Sequence, residues 1–155
     1  MVKNLIFNKN EIRFLRELVR FKVDFMIIGL SAAALQKAPV VTQDVDLWFA
    51  DLDDPQLIKA LKKVKSFYVP PMGNNPPMFA GDNVKLFDIV THVHGLGEYA
   101  KVKKQAIKIS LDDFKVSVLP LELIIKSKQA TGRTKDQLWL LVLKDALKTI
   151  KSEKQ

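Results

Sequence analysis

The chain has 155 residues, 48% hydrophobic and 27% charged, and Lys plus Arg outnumber Asp plus Glu by 25 to 17, for a net charge of +8. That is the profile of an ordinary globular domain, long enough to bury a real core. The absence of cysteine excludes disulfides and thiolate metal sites, and two histidines, His92 and His94, are too few for a His-built zinc cage.

No apolar run reaches bilayer length, and the opening "MVKNLIFNKNEIRF" is broken by polar residues within a few positions, unlike a signal peptide. The expectation is a cytoplasmic protein that does not enter a membrane. The basic balance favours polyanions such as nucleic acid or nucleoside triphosphates. Lysines spread along the chain serve solubility equally well.

Residues 10–22, "NEIRFLRELVRFK", read as an amphipathic helix, with Ile12, Leu15, Leu18 and Val19 on one side and Arg13, Arg16 and Arg20 on another. "DFMIIG" is a buried-strand pattern ended by Gly29. "SAAALQK" is a strong helix former with Ser31 as its cap. "TQDVDLWF" is the next strand, since β-branched and aromatic side chains suit a pleated surface. "DDPQLIKALKKVK" is a helix with Asp54 as N-cap and Pro55 at the first helical position. "SFYV" is a short strand.

Residues 69–81 hold four prolines and two glycines and read as a long, stiff loop. It is either a rigid surface connection or a wall over a substrate, with Met72, Met78 and Phe79 as stacking surface. "NVKLFDIVTHV" is a further strand, and "KQAIKISLDDFKVSVL" a hairpin turning at Asp112 and Asp113. Pro120 opens a helix that Gly132 closes, and Thr134 with Gln137 starts the last helix as a capping box. Its Trp139–Leu143 face is core or a dimer contact. The reading is one α/β (α+β) domain over residues 1–155: a helix at 10–22, a mixed-sheet core at 23–119 and C-terminal helices at 120–150.

Three acids are out of place in this scheme. Asp44 and Asp46 alternate in a strand, so their side chains share a face and repel. Asp88 stands in "KLFDIV" between apolar neighbours, where an unpaired carboxylate costs several kcal/mol. Lys85, three positions away, lies on the opposite face of a regular strand. One reading is a solvent-facing strand edge. The other is a divalent cation, since Mg²⁺ takes oxygen ligands and bridges carboxylates to substrate phosphates. Gly29 and Ser31 open a helix that is either an ordinary connection or a phosphate site built from backbone N–H groups and a hydroxyl. Lys126, Lys128, Arg133 and Lys135 are a solvated basic face, with Arg133 pairing with Asp136, or a triphosphate or nucleic-acid contact. His92 and His94 read as polar surface more readily than as a phosphate contact or proton shuttle.

Together these stretches resemble the nucleotidyltransferase (polymerase-beta-like) superfamily. "IIGLSAAALQKAPVVTQDVDLWF" is similar to its small-residue turn before a helix and its Thr-x-Asp-x-Asp strand, with Asp88 on a later strand. The spacing from Gly29 to Asp44 is similar to the small prokaryotic branch of minimal and toxin-like members. "VLPLELIIKSKQATGRTKD" resembles that branch's closing helices. The resemblance covers roughly residues 23–147. The sequence departs from the pattern at Leu30, Lys37 and Val40.

The resemblance implies transfer of a nucleoside monophosphate from an NTP, ATP foremost, to a hydroxyl of protein, RNA or a small molecule. It implies Mg²⁺ or Mn²⁺ on Asp44, Asp46 and Asp88, with these as the catalytic residues. It implies substrate contacts from Gly29, Ser31, Thr42, Lys128 and Arg133. The alternative is the same fold without the reaction, serving as a toxin–antitoxin component or RNA-binding module.

Overall fold

The computed structural model describes residues 7–153. Its first helix, α1 (Lys9–Arg20), is set by a capping box: Asn8 Oδ1 accepts from the Glu11 amide at 2.8 Å, and Glu11 Oε1 accepts from the Asn8 amide at 2.9 Å. Phe14, Leu15 and Leu18 are fully buried, while Arg13 and Arg20 stay exposed, as the 3.6-residue period requires. Then follow β1 (Phe25–Ile28), α2 (Gly29–Leu35), β2 (Val45–Phe49), α3 (Pro55–Lys63), β3 (Phe67–Val69), β4 (Met78–Ala80) and β5 (Phe87–Val90). The chain continues through α4 (Tyr99–Lys103), β6 (Ile107–Leu111), β7 (Phe114–Val118), α5 (Leu121–Thr131) and α6 (Thr134–Glu153).

Five strands form one mixed sheet in the order β5-β2-β1-β7-β6. The β1–β2 and β6–β7 pairs are antiparallel; β1–β7 and β2–β5 are parallel. The central strand β1 is buried along its whole length, so its run of Phe25, Met26, Ile27 and Ile28 is apolar without alternation. Helix α1 packs on β7 and α3, α2 on β1, β2 and α5, and α6 on α5. The expected architecture, a mixed sheet flanked by helices with two C-terminal helices, is the one observed.

The cap of α3 is as expected, with Asp54 Oδ1 accepting from the Gln56 amide at 2.9 Å and Pro55 in the first turn. The β6–β7 hairpin turns at Asp112 and Asp113, both held by Arg16 of α1 at 3.2 and 2.9 Å. Gly132, with φ of 64°, closes α5.

Other expectations are corrected. Residues 69–81 are not a structureless loop. Val69 pairs with Met78 and Phe67 with Ala80, and Met72 and Asn75 exchange backbone hydrogen bonds of 3.2 and 2.9 Å at the tip. The four prolines fall between the paired residues, where their missing N–H removes no ladder bond. Phe79 on the inner face is buried edge-on against Phe14 and Phe49, at ring centroid distances of 5.5 and 5.7 Å. That packing holds the hairpin, and it leaves Phe79 unable to stack on a ligand. The strand around Asp88 is shorter than its apolar run, because residues 82–86 turn before it. Helix α2 begins at Gly29 with Ile28 as its cap residue, so Ser31 is not the cap. Thr134 is the first residue of α6 rather than its cap. Helix α4 was not anticipated.

Candidate functional site

Register places the acids. In the sheet, Ile28 pairs with Asp46, and Asp46 pairs with Asp88 across the parallel β2–β5 ladder. Paired residues on neighbouring strands present their side chains to the same face, with strands ~4.8 Å apart. Asp46 and Asp88 are therefore neighbours on one face. Asp44 lies just ahead of β2, exposed, and its backbone carbonyl accepts hydrogen bonds from the hydroxyls of Ser31 at 2.9 Å and Thr42 at 3.0 Å.

The charge of Asp44 acts on both Asp46 and Asp88, and that of Asp88 on Asp46. Burial pushes the Asp46 carboxyl up from the ordinary carboxylate range, and the charges of Asp88 and Asp44 push it further; Lys128 opposes them. Asp88 is exposed on the edge strand β5, contrary to the expectation of a carboxylate among buried apolar neighbours, and is likewise raised, by partial desolvation and by Asp44. Lys128 is thus the cation nearest in effect to the acids. Its ammonium, however, is bonded to Asp136 Oδ1 at 3.2 Å, and Asp46 remains net destabilised as an anion.

Asp46 opens onto a cavity of about 480 Å³. Its floor is the sheet face at Ile28, Asp46 and Val90. One wall is α5, through Ile124, Ser127, Lys128 and Thr131, and the other is the segment after β5 carrying His92, Val93 and His94. Gly29 and Arg133 complete the rim. Gly95 sets the spacing of the two walls. A Cβ there would come within 2.5 Å of Ala130 Cβ on α5, and φ is +78°, so only glycine lets the segment lie this close. The two imidazoles meet edge to face, ring centroids 5.6 Å apart.

The basic wall is braced from behind by Asp136, whose side chain is 3% exposed. It accepts from Lys128 at 3.2 Å and Arg133 Nε at 2.8 Å. Thr131 Oγ1 lies 2.7 Å from the same carboxylate and 2.8 Å from the Lys128 carbonyl. Burial alone would raise the Asp136 carboxyl. The hydrogen bonds from Thr131, Arg133 and Lys128 outweigh it and bring the pKa down to about 2.

Gln36 fixes α5 relative to α2. Its Nε2 donates to the carbonyls of Ala32 at 2.9 Å and Leu119 at 2.8 Å, while its Oε1 accepts from the Leu121 amide at 2.9 Å.

Of the residues singled out in the sequence, Gly29, Asp46, Lys128 and Arg133 line this one cavity, with Asp88 beside Asp46 in register. Ser31 and Thr42 do not line it. Ser31 is 1% exposed with its hydroxyl spent on Asp44, and both border a separate concavity with Asn8 and Glu11. Their observed role is to hold the Asp44 backbone, because a strand-end carbonyl without a ladder partner needs a donor. Among the described residues, no group of three or more His, Asp or Glu side chains is disposed to hold a metal ion, so the acids do not close into a three-carboxylate cage. His92, His94, Ser127 and Thr131 were not placed at the site from sequence. The "THVH" alternation carried a signal for the first two, since i and i+2 tend to face together.

No family model and no curated protein matches the chain. Solved structures do, among them an antigenic nucleotidyltransferase-like protein from Paracoccidioides brasiliensis, at 15% identity over 88% of this chain and 77% of that one, with a TM-score of 0.50. At that identity the likeness speaks for the fold, which is nucleotidyltransferase-like. No helix among the described residues is long and apolar enough to cross a membrane.

Proposed function

We propose that the chain is a metal-dependent nucleotidyltransferase that passes a nucleoside monophosphate from an NTP, ATP foremost, to a hydroxyl acceptor. One observation carries this reading. Asp46, whose proton affinity is raised by burial and by the neighbouring Asp88 and Asp44, lines a cavity that Lys128 and Arg133 also line.

The donor chemistry fits a hard divalent cation. The acids offer only oxygen ligands, and their repulsion is the energy such an ion would relieve. Mg²⁺ keeps waters and takes one or two carboxylates plus substrate phosphates, so it does not require a three-carboxylate cage. Asp44 and Asp46 would hold Mg²⁺ or Mn²⁺ with the triphosphate, and Asp88 shares that charge. When bound, the ion supplies neutralisation of the phosphate oxygens.

The chain's own groups then act by position. Lys128 and Arg133, braced by Asp136, attract the triphosphate tail. Gly29 lets the start of α2 lie directly against the Asp46 carboxylate at the cavity edge. Asp88, beside Asp46 in register and exposed, accepts the proton of the attacking hydroxyl. The acceptor oxygen bonds the α-phosphorus as the bond to pyrophosphate breaks. Positioning and charge compensation supply the rate.

The test is thermal unfolding and calorimetric titration with Mn²⁺ and a non-hydrolysable ATP analogue. Wild-type protein should bind the pair and gain stability, and Asp46→Asn should do neither. Label transfer from [α-³²P]ATP to an acceptor in a lysate then checks the reaction. Absence of metal-dependent analogue binding by the wild type would sink the reading.

A further inference from the structure

The opposite end of β1 from Gly29 carries a further concavity, of about 330 Å³. Four lysines from four separate places surround it: Lys22 from the turn after α1, Lys103 from α4, Lys108 from β6 and Lys115 from β7. Lys108 pairs with Ser117 and Lys115 with Ser110 in the β6–β7 ladder, which sets the two lysines diagonally on one face of the hairpin. Lys22, Lys108 and Lys115 are exposed.

Asp24 is the one carboxylate among the lining residues, and it is already engaged. It accepts from the Tyr99 hydroxyl at 2.7 Å and from the Lys103 ammonium. The remaining three lysines make no ion pair with a described residue. Arg16, close by in sequence, shows the contrast, since Asp112 and Asp113 take up its charge. Three like charges gathered by the tertiary fold around one hollow, with their only acid spoken for, create a positive field that an external anion relieves.

The chemistry of the lining selects among anions. Lysines are compact point charges that pair with phosphate oxygens without demanding a planar, bidentate partner. The bordering aromatic, Phe25, is 3% exposed and offers no face on which a base can stack. Val19 and Val23 are covered or half-covered, so no apolar side chain is presented for insertion into a lipid surface.

We propose that Lys22, Lys108 and Lys115 form a docking site for the phosphodiester backbone of nucleic acid, read by charge and not by base sequence. This site is distinct from the Asp46 cavity, and the proposal stands or falls independently of nucleotidyl transfer.

The test is fluorescence anisotropy of a labelled 20-nucleotide single-stranded RNA of mixed sequence, titrated with protein at several KCl concentrations. Wild-type binding should weaken linearly in log–log form with salt. The Lys22→Ala/Lys108→Ala/Lys115→Ala variant should lose about 2 from that slope and roughly tenfold or more in affinity at moderate salt, as three lost phosphate contacts require. Two arms keep charge and site apart. Lys59→Ala/Lys62→Ala/Lys63→Ala removes the same charge from exposed positions of α3 and should leave the slope in place. Lys128→Ala should also leave it in place, which separates this face from the Asp46 cavity. Circular dichroism verifies that each variant is folded. The proposal is overturned by equal losses in the α3 variant, by slope loss confined to Lys128→Ala, or by no RNA binding. Binding of inorganic pyrophosphate alone, or of phosphatidylserine vesicles alone, overturns it as well.

Discussion

Gly29 and Asp46 touch so closely that a methyl group on Gly29 would lie 2.9 Å from Asp46 Oδ2. The backbone there has φ of +68°, a conformation that side-chain-bearing residues enter at a cost of ~1–2 kcal/mol. The start of α2 and the central acid of the site are therefore one structural unit, and glycine is what permits it.

Gly29→Ala should accordingly act twice. Strain plus the clash should lower stability by roughly 1–3 kcal/mol. Because the displaced atom is the Asp46 carboxylate, Mn²⁺-dependent binding of an ATP analogue should weaken by more than the stability loss explains. Urea unfolding and calorimetry on the same preparation separate the two effects.

Asp46→Asn and Asp88→Asn should each stabilise the metal-free protein at neutral pH while removing its response to Mn²⁺. The sign follows from their raised carboxyl pKa values. A raised folded-state pKa means that ionisation costs the fold. The stability present below the ordinary value of 3.8 is lost as pH rises through the folded value. An amide carries no such penalty. For the half-buried Asp46 a gain of ~1 kcal/mol would appear as about 2–4 °C in Tm for a chain of this size, and the exposed, solvent-screened Asp88 should gain less. A scan at pH 7.5 with EDTA, repeated with Mn²⁺, checks both halves. A lower Tm for both variants in EDTA would contradict the account.

Asp136 has the opposite sign. Its folded pKa of about 2 lies below the ordinary 3.8, so its stabilisation is complete above pH 4 and disappears as pH falls through 2. Asp136→Asn should cost ~2–4 kcal/mol at pH 7, because it strands the Lys128 ammonium, which is 15% exposed, without its partner. The gap between wild type and variant should close on acidification from pH 4 to 2. Guanidinium unfolding across that range measures it.

Gln36→Ala removes three hydrogen bonds, two of which join α2 to the β7–α5 junction and one of which returns to Ala32 within α2. The expected loss is ~1–3 kcal/mol, since the Leu121 amide and Leu119 carbonyl are left without that side chain. Faster hydrogen exchange at the Leu121 amide, with little change in α3, would locate the effect. Uniform acceleration through all helices would instead point to global destabilisation.

Much of the architecture is written locally. Asp54-Pro55 starts α3, Asp112-Asp113 turns the β6–β7 hairpin and Gly132 ends α5, each through short-range geometry that a few adjacent residues dictate. The β3–β4 hairpin was hidden for the converse reason. Its four prolines advertise an irregular loop, whereas the pairing depends on Phe79 finding Phe14 and Phe49, distant in sequence.

The site divides along the same line. The run of apolar neighbours around Asp46 and Asp88 marks both acids as anomalous, but only Asp46 is partly buried; β5 lies at the sheet edge and leaves Asp88 exposed, which its neighbours could not reveal. What the chain alone could determine was therefore the identity of the unusual residues, the helices and strands that carry them, and the sign of the net charge. Only tertiary structure decided that Asp46 faces Asp88 across a parallel ladder, that Ser31 and Thr42 turn their hydroxyls to the Asp44 backbone, and that Asp136 holds Lys128 and Arg133 on the opposing wall. The reason is physical. Propensity and capping act over a few residues, whereas register, cavity walls and charge pairing depend on which distant segments pack together, and that is settled by the burial of the whole core.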